Sequence, residues 1–222
     1  IYQEGEYIER NVNKSIYYFS LAADQNNSNA QFNLGVIYED GEFIERDIKK
    51  SIHYYTLAAN QNHPLALYNL GIIYNTGKFI KTDITKAINF FTLSAEQNCS
   101  LAQYNLGVIF SEGRRVERDI NKSINYYVLA ANQNNLDALF NLGVMYANGQ
   151  YVKQDINKAI HYFTCAADQN HMKSQYNLGT IYGTGQYTKP NINKAIHYYT
   201  LAANQNNADA QYNLGCIYET NE

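Results

Sequence analysis

The chain has 222 residues, 45% of them hydrophobic, and a formal net charge of −3 from 17 Lys+Arg against 20 Asp+Glu. That apolar content can build a substantial core and excludes bulk disorder, while the balanced charge gives no overall attraction to nucleic acid or to an anionic membrane. Cys99, Cys165 and Cys216 are an odd set without a Cys-x-x-Cys pair; they leave no complete disulfide framework and point to a reducing compartment such as the cytoplasm, though no residue identifies the compartment. The apolar runs are too short to span a bilayer, so no membrane insertion by this segment is expected.

From the first residues onward, one spacing organises the chain. Asn-Leu-Gly recurs with its glycine at Gly35, Gly71, Gly107, Gly143, Gly179 and Gly215, in steps of 36 residues, and a second glycine series at the same step runs Gly5, Gly41, Gly77, Gly113, Gly149 and Gly185. All 22 Tyr and 9 Phe occupy slots within this period, so no aromatic is left to build a site outside it. Such self-similarity is the signature of a repeat architecture.

In chain order, Ile1-Tyr2 reads as the tail of a helix, ended by Gly5, and Asn11 as the cap of the next helix. The first complete unit begins with Ala30, Leu34, Ile37 and Tyr38, spaced to share one face of a helix, here termed helix A. Gly41 supplies the left-handed residue that ends it. A short loop follows, then Asp47 as N-cap of helix B, with Asn11, Asp83, Asp119, Asp155 and Asn191 in the same slot. Ile48, Ser51, Ile52, Tyr55, Ala58 and Ala59 form the buried stripe of helix B. Asn62 ends it, as do Asn26, Asn98, Asn134, Asn170 and Asn206, because Asn tolerates the left-handed conformation. The units are a partial repeat over 1–26, full repeats over 27–62, 63–98, 99–134, 135–170 and 171–206, and a partial repeat over 207–222. Twelve helices are expected, in a single array. Neither end carries a polar capping repeat, as such stacks normally need, so the chain reads as a fragment of a longer protein.

Ala30, Leu34, Gly35, Tyr38 and Gly41, followed by Asp47, Lys50, Ser51, Ile52, Tyr54, Tyr55, Ala58 and Ala59, form a pattern that resembles the Sel1-like repeat of the tetratricopeptide superfamily. The pattern covers the whole chain. Two slots depart from it: Tyr18, Tyr54, Phe90, Tyr126, Tyr162 and Tyr198 stand where the family often has Trp, and the Asn62 series where it often has Gly. The resemblance implies an all-α fold, a right-handed α-solenoid of antiparallel helix pairs with a 36-residue repeat, and a role as a scaffold or adaptor that binds a protein or peptide.

Stacked helix-A residues flanking the core line the concave groove of such arrays. The candidate groove is Phe32, Asn33 and Val36, then Tyr68, Asn69 and Ile72, Tyr104, Asn105 and Val108, Phe140, Asn141 and Val144, and Tyr176 with Asn177. The Asn slot admits two readings: an amide ladder gripping a peptide, or bonds to neighbouring helices. Lys14, Lys50, Lys86, Lys122, Lys158 and Lys194 read as a solvated ridge or as packing of the alkyl stems. All five histidines read as solvent-exposed: His53, His161 and His197 share a slot outside the buried stripe, and His63 and His171 share a loop slot. No His-Glu-x-x-His, Cys/His cluster or nucleophile elbow is present, and Gly179 to Gly185 does not follow a strand. No metal, cofactor or catalytic residue is therefore expected, and the chain reads as a non-enzyme. The alternative is a helical-repeat reader of single-stranded RNA; such readers need basic side chains along the reading helix, and helix A carries Lys173 and almost nothing else positive.

Overall fold

The computed structural model describes residues 12–42, 44–185 and 188–220, the side chain of Thr220 excepted. Asn11, Gly5, Ile1 and Tyr2 lie outside the described residues. Among those described there are twelve helices and no strand. The B helices are α1 (Val12–Asp24), α3 (Ile48–Ala59), α5 (Ile84–Glu96), α7 (Ile120–Ala131), α9 (Ile156–Ala167) and α11 (Ile192–Ala203). The A helices are α2 (Ser28–Asp40), α4 (Pro64–Thr76), α6 (Ser100–Glu112), α8 (Leu136–Asn148), α10 (Met172–Thr184) and α12 (Ala208–Thr220). The fold is an all-α helical repeat. It divides into two compact units, residues 1–102 and 103–222.

Local chemistry sets the helix boundaries. The side chains of Asp47, Asp83, Asp119, Asp155 and Asn191 each accept the backbone N–H three residues on, at 3.0 Å. This satisfies a donor that the helix itself leaves unpaired. The bond to the Lys122 N–H also holds the Asp119 carboxyl below its ordinary range. The turn that follows helix B holds Asn26, Asn62, Asn98, Asn134, Asn170 and Asn206, all with φ between 59° and 66°, the left-handed conformation expected of that slot.

The recurring lysines form an exposed ridge, as one of the two readings expected, with their ammonium groups placed over rings. The Nζ atoms of Lys50, Lys86, Lys122, Lys158 and Lys194 sit 4.8 to 5.3 Å from the ring centroids of Tyr38, Tyr74, Phe110, Tyr146 and Tyr182. The first four also lie 3.5 to 4.0 Å from the capping aspartate three residues before them. Beneath, each ring stacks on a helix-B aromatic, Tyr54, Phe90, Tyr126, Tyr162 or Tyr198, at 5.7 to 6.0 Å. An aspartate, a lysine and two rings thus form one column in each of four repeats, with Asn191 in place of the aspartate beside Lys194. A cation over a ring face offsets the poor placement of a lysine near a helix N-terminus.

Two histidines depart from the solvent-exposed reading. His63 and His171 are the N-caps of α4 and α10, their Nδ1 atoms accepting the N–H of Ala66 and Ser174 at 3.2 and 3.3 Å. Their rings pack on Phe32 at 4.7 Å and on Phe140 at 5.3 Å. Three other repeats place Asn27, Asn135 and Asn207 in this capping slot and the fourth has Cys99, so a histidine there is a cap with an aromatic body. Burial lowers the pKa of both below the ordinary imidazole value of about 6.5. The folded state therefore binds fewer protons than the unfolded chain. Their contribution to stability is complete above the ordinary value and is lost as pH falls through the lowered one. Melting temperature is expected to drop as pH is lowered from about 7.5 to 5.5, and to drop less in the His63→Asn/His171→Asn double variant, which keeps an acceptor at both caps. Parallel curves for the two proteins would remove the histidines as the cause.

Candidate partner-binding clefts

Each helix pair is built around a ring seated on a glycine. A Cβ added to Gly35, Gly71, Gly107, Gly143 or Gly179 would meet a ring atom of Tyr55, Phe91, Tyr127, Phe163 or Tyr199 no more than 2.6 Å away. At this slot the absent side chain admits an aromatic ring, and Tyr55, Phe91 and Phe163 are at most 1% exposed as a result. The helix-A aromatics then lean on the seated rings: Phe32, Tyr68, Tyr104, Phe140 and Tyr176 each lie 5.9 Å from Tyr55, Phe91, Tyr127, Phe163 and Tyr199 respectively. These aromatics are half-buried, with one face on the core and the remainder at the surface.

The asparagine slot is not uniform. Asn69 Nδ2 donates to Tyr55 Oη at 2.9 Å, and Asn141 Nδ2 to Tyr127 Oη at 3.2 Å. Tyr55 Oη in turn donates to Glu39 Oε2 at 2.7 Å, and Tyr127 Oη lies 3.4 Å from Ser111 Oγ. Burial first, and then the bond to Glu39, push the Tyr55 phenol far above its ordinary value. Burial raises Tyr127 and Tyr104 as well. Preceding Asn33, Asn105 and Asn177, the same slot holds Phe19, Phe91 and Phe163, which have no hydroxyl to offer. Phenylalanine and tyrosine alternate through the array, so the asparagines fall into two chemical classes at a period of two repeats.

Three clefts open beside these residues. In the second unit, Tyr104, Val108, Asn141 and Val144 share the wall of a cleft of about 510 Å³ with Arg118 and Tyr151. In the first unit, Val36 and Asn69 line one of about 290 Å³ with Arg46, Tyr55 and Phe79, and Asn33 and Val36 line one of about 260 Å³ against Phe19. Phe32, Tyr68, Ile72, Asn105, Phe140, Tyr176 and Asn177 are not on these walls. Among the described residues no group of three or more His, Cys, Asp or Glu is placed to hold a metal. None of the described helices is long and apolar enough to cross a membrane.

Two sets of residues with a visible role escaped the sequence reading. Gln31, Gln103 and Gln175 are no more than 2% exposed. Gln31 donates to Ala23 O at 3.2 Å and accepts from Gln61 at 2.8 Å, and Gln175 donates to Ala167 O at 3.2 Å and accepts from Gln205 at 2.7 Å. A buried amide thus joins the end of one B helix to the end of the next. The intervening repeats hold Leu67 and Leu139 in that slot, and Gln211 follows Gln175 with the same bond, to Ala203 O at 3.2 Å, so the recurrence of Gln at an otherwise apolar slot was the available signal. The second set is the pair Arg46 and Arg118, also two repeats apart. Each lies over a loop aromatic of the following repeat, Arg46 over Phe79 at 5.3 Å and Arg118 over Tyr151 at 4.8 Å.

The Sel1 repeat family matches this chain over residues 1–27, 28–63, 64–99, 100–135, 136–171, 173–207 and 208–220. No curated protein matches it. Among solved structures it is similar to a Sel1 repeat protein from Oxalobacter formigenes, at 30% identity over 94% of this chain and 90% of that one, with a TM-score of 0.77. It is also similar to a protective antigen of uropathogenic Escherichia coli that displays an SLR fold, at 28% identity and a TM-score of 0.62, covering 93% of this chain and 52% of the antigen. A likeness of fold alone extends to an immunity protein from Pseudomonas aeruginosa, at 20% identity, 85% and 72% coverage and a TM-score of 0.53. The chain belongs to the Sel1 repeat family, a non-enzymatic scaffold fold whose members generally mediate protein–protein interactions.

Proposed function

We propose that this chain is an interaction scaffold that holds a peptide or protein partner on the exposed face of its A helices, and that it carries out no reaction of its own. The observation that supports this most is the cleft of about 510 Å³ in the second unit, where Tyr104, Val108, Asn141 and Val144, on two successive A helices, share one wall. It joins an apolar floor to a few fixed polar groups, the usual make-up of a recognition surface. Helix A offers too few cations along its length to hold a phosphate backbone, so nucleic acid is not the proposed partner.

The test is a selection of random peptide segments displayed between constant flanks, with the wild-type chain and a Val108→Arg/Val144→Arg variant as baits. Both valines are partly exposed, so the variant is expected to keep its helical melt. The wild type is expected to enrich a peptide family and the variant to lose it, with binding of a selected peptide weakened about tenfold or more. Equal enrichment by both baits, or none by the wild type, rejects the cleft as the binding surface.

A further inference from the structure

The clefts lined by Val36 and by Val108 are one site built twice, 72 residues apart. Val36, Tyr55, Asn69 and Phe79 in the first correspond to Val108, Tyr127, Asn141 and Tyr151 in the second. Arg46 corresponds to Arg118 at the same edge. Arg46 donates through Nε to Glu39 O and through Nη2 to Asp40 O, both at 2.8 Å. Arg118 donates to Glu112 O and to Tyr151 Oη, both at 3.1 Å. All four acceptors are neutral oxygens. Among the described residues neither guanidinium has a carboxylate within 4.0 Å.

Capping the end of helix A does not require that charge. In the repeat after Arg118 the slot holds Gln154, whose Nε2 donates to Ala147 O at 2.7 Å; Thr82 and Pro190 occupy the slot in two further repeats, and Arg10, outside the described residues, in the first. Arg46 and Arg118 therefore carry something beyond the cap: a fixed positive charge, held by carbonyls and a ring, on the wall of a cleft with an apolar side. A guanidinium orders little further on binding, because its hydrogen bonds and its ring contact already hold it. Its remaining N–H groups suit a carboxylate. Each cleft has a second cation, Lys78 in the first and Arg114 in the second. Of the acids on the walls, Glu39 and Asp40 in the first cleft and Glu112 in the second, Glu39 accepts from Tyr55 at 2.7 Å and Glu112 lies 3.8 Å from Arg114, and the Asp40 carboxylate is not within 4.0 Å of Arg46.

We propose that these are two equivalent acceptors for acidic side chains, each taking an Asp or Glu of a bound peptide onto Arg46 or Arg118 with a neighbouring apolar side chain of that peptide against Val36 or Val108. This names the partner chemistry of the surface proposed above and rests on that reading.

The test repeats the same selection with an Arg46→Gln/Arg118→Gln bait, which copies the chain's own Gln154. Because the random segments lie between constant flanks, no free C-terminal carboxylate is offered. The wild-type pool is expected to show an excess of Asp and Glu over the input library, and the variant pool to show none. A synthetic peptide from the wild-type pool is expected to bind the variant about tenfold more weakly, and changing its conserved acid to the amide is expected to cost the same with wild type and nothing further with the variant. An enriched pool without an acidic excess, or an excess that survives in the variant, overturns the acid-reading proposal and leaves the cleft as a binding surface. No enrichment at all overturns both. Retention of a single-stranded RNA probe by the wild type but not by the variant would assign the arginines to phosphate and overturn the peptide assignment.

Discussion

Replacing Gly107 with alanine is expected to destabilise the protein by about 1–3 kcal/mol, while the same change at Gly215 stabilises it by up to about 1 kcal/mol. Glycine in a helix interior normally gains stability on becoming alanine, because the backbone loses less freedom on folding. At Gly107 the new methyl would stand 2.5 Å from Tyr127 Cδ1. The Tyr127 ring is 2% exposed and cannot swing aside. At Gly215 nothing lies within 4 Å, so only the backbone effect remains. Urea titrations of the two variants would read the sign directly. Stabilisation at both sites would mean that the ring seat is soft, and destabilisation at both would mean that the glycines serve the backbone instead.

The second large effect separates the seated ring from its hydroxyl. Tyr127→Ala is expected to cost about 3–5 kcal/mol, the range for emptying a large aromatic site in a packed core. Tyr127→Phe is expected to cost only about 1 kcal/mol, since it removes the bond from Asn141 and leaves the ring. The array already accepts that ring without its hydroxyl, as Phe91 and Phe163, each no more than 1% exposed, occupy the same slot. Asn141→Ala should cost a similar small amount alone and little more once Tyr127 is Phe, a coupling of roughly 0.5–1 kcal/mol in the double-mutant cycle. Asn177→Ala, in the repeat whose seated ring is Phe163, should cost less than Asn141→Ala. Additive losses in the cycle, combined with weaker binding of a selected peptide by Asn141→Ala, would instead make Asn141 a groove residue with an idle bond to the phenol.

The helices and their limits were legible in the sequence, because each is set by residues close along the chain. Gly41 and Asn62 take φ of 70° and 59°, and Asp47 caps the helix it begins, as their residue types require. A buried stripe at helical spacing repeated every 36 residues then leaves stacking as the only way to cover the apolar faces. Those determinants need only local sterics and periodicity, and both are visible without coordinates.

What the tertiary structure decided is which partner each repeated side chain meets. Lys50, a ridge residue by helical position, lies over Tyr38 because the fold brings the start of one helix against the end of another. His63, placed in a loop by pattern, caps α4 and stacks on Phe32. Six identical asparagines divide into two classes because the ring opposite each, a tyrosine with a phenol oxygen or a phenylalanine without one, sits on a different helix. The charge on Arg118 becomes meaningful only once its bonds are seen to end on a carbonyl and a phenol rather than on a carboxylate. A one-dimensional period fixes position within a repeat, whereas a hydrogen bond or a ring contact depends on the residue across the gap. The two-repeat alternation of Phe with Tyr from Phe19 to Tyr199, and of Gln with Leu from Gln31 to Gln175, is written in the sequence, but only the packing of successive helices gives it a chemical sense.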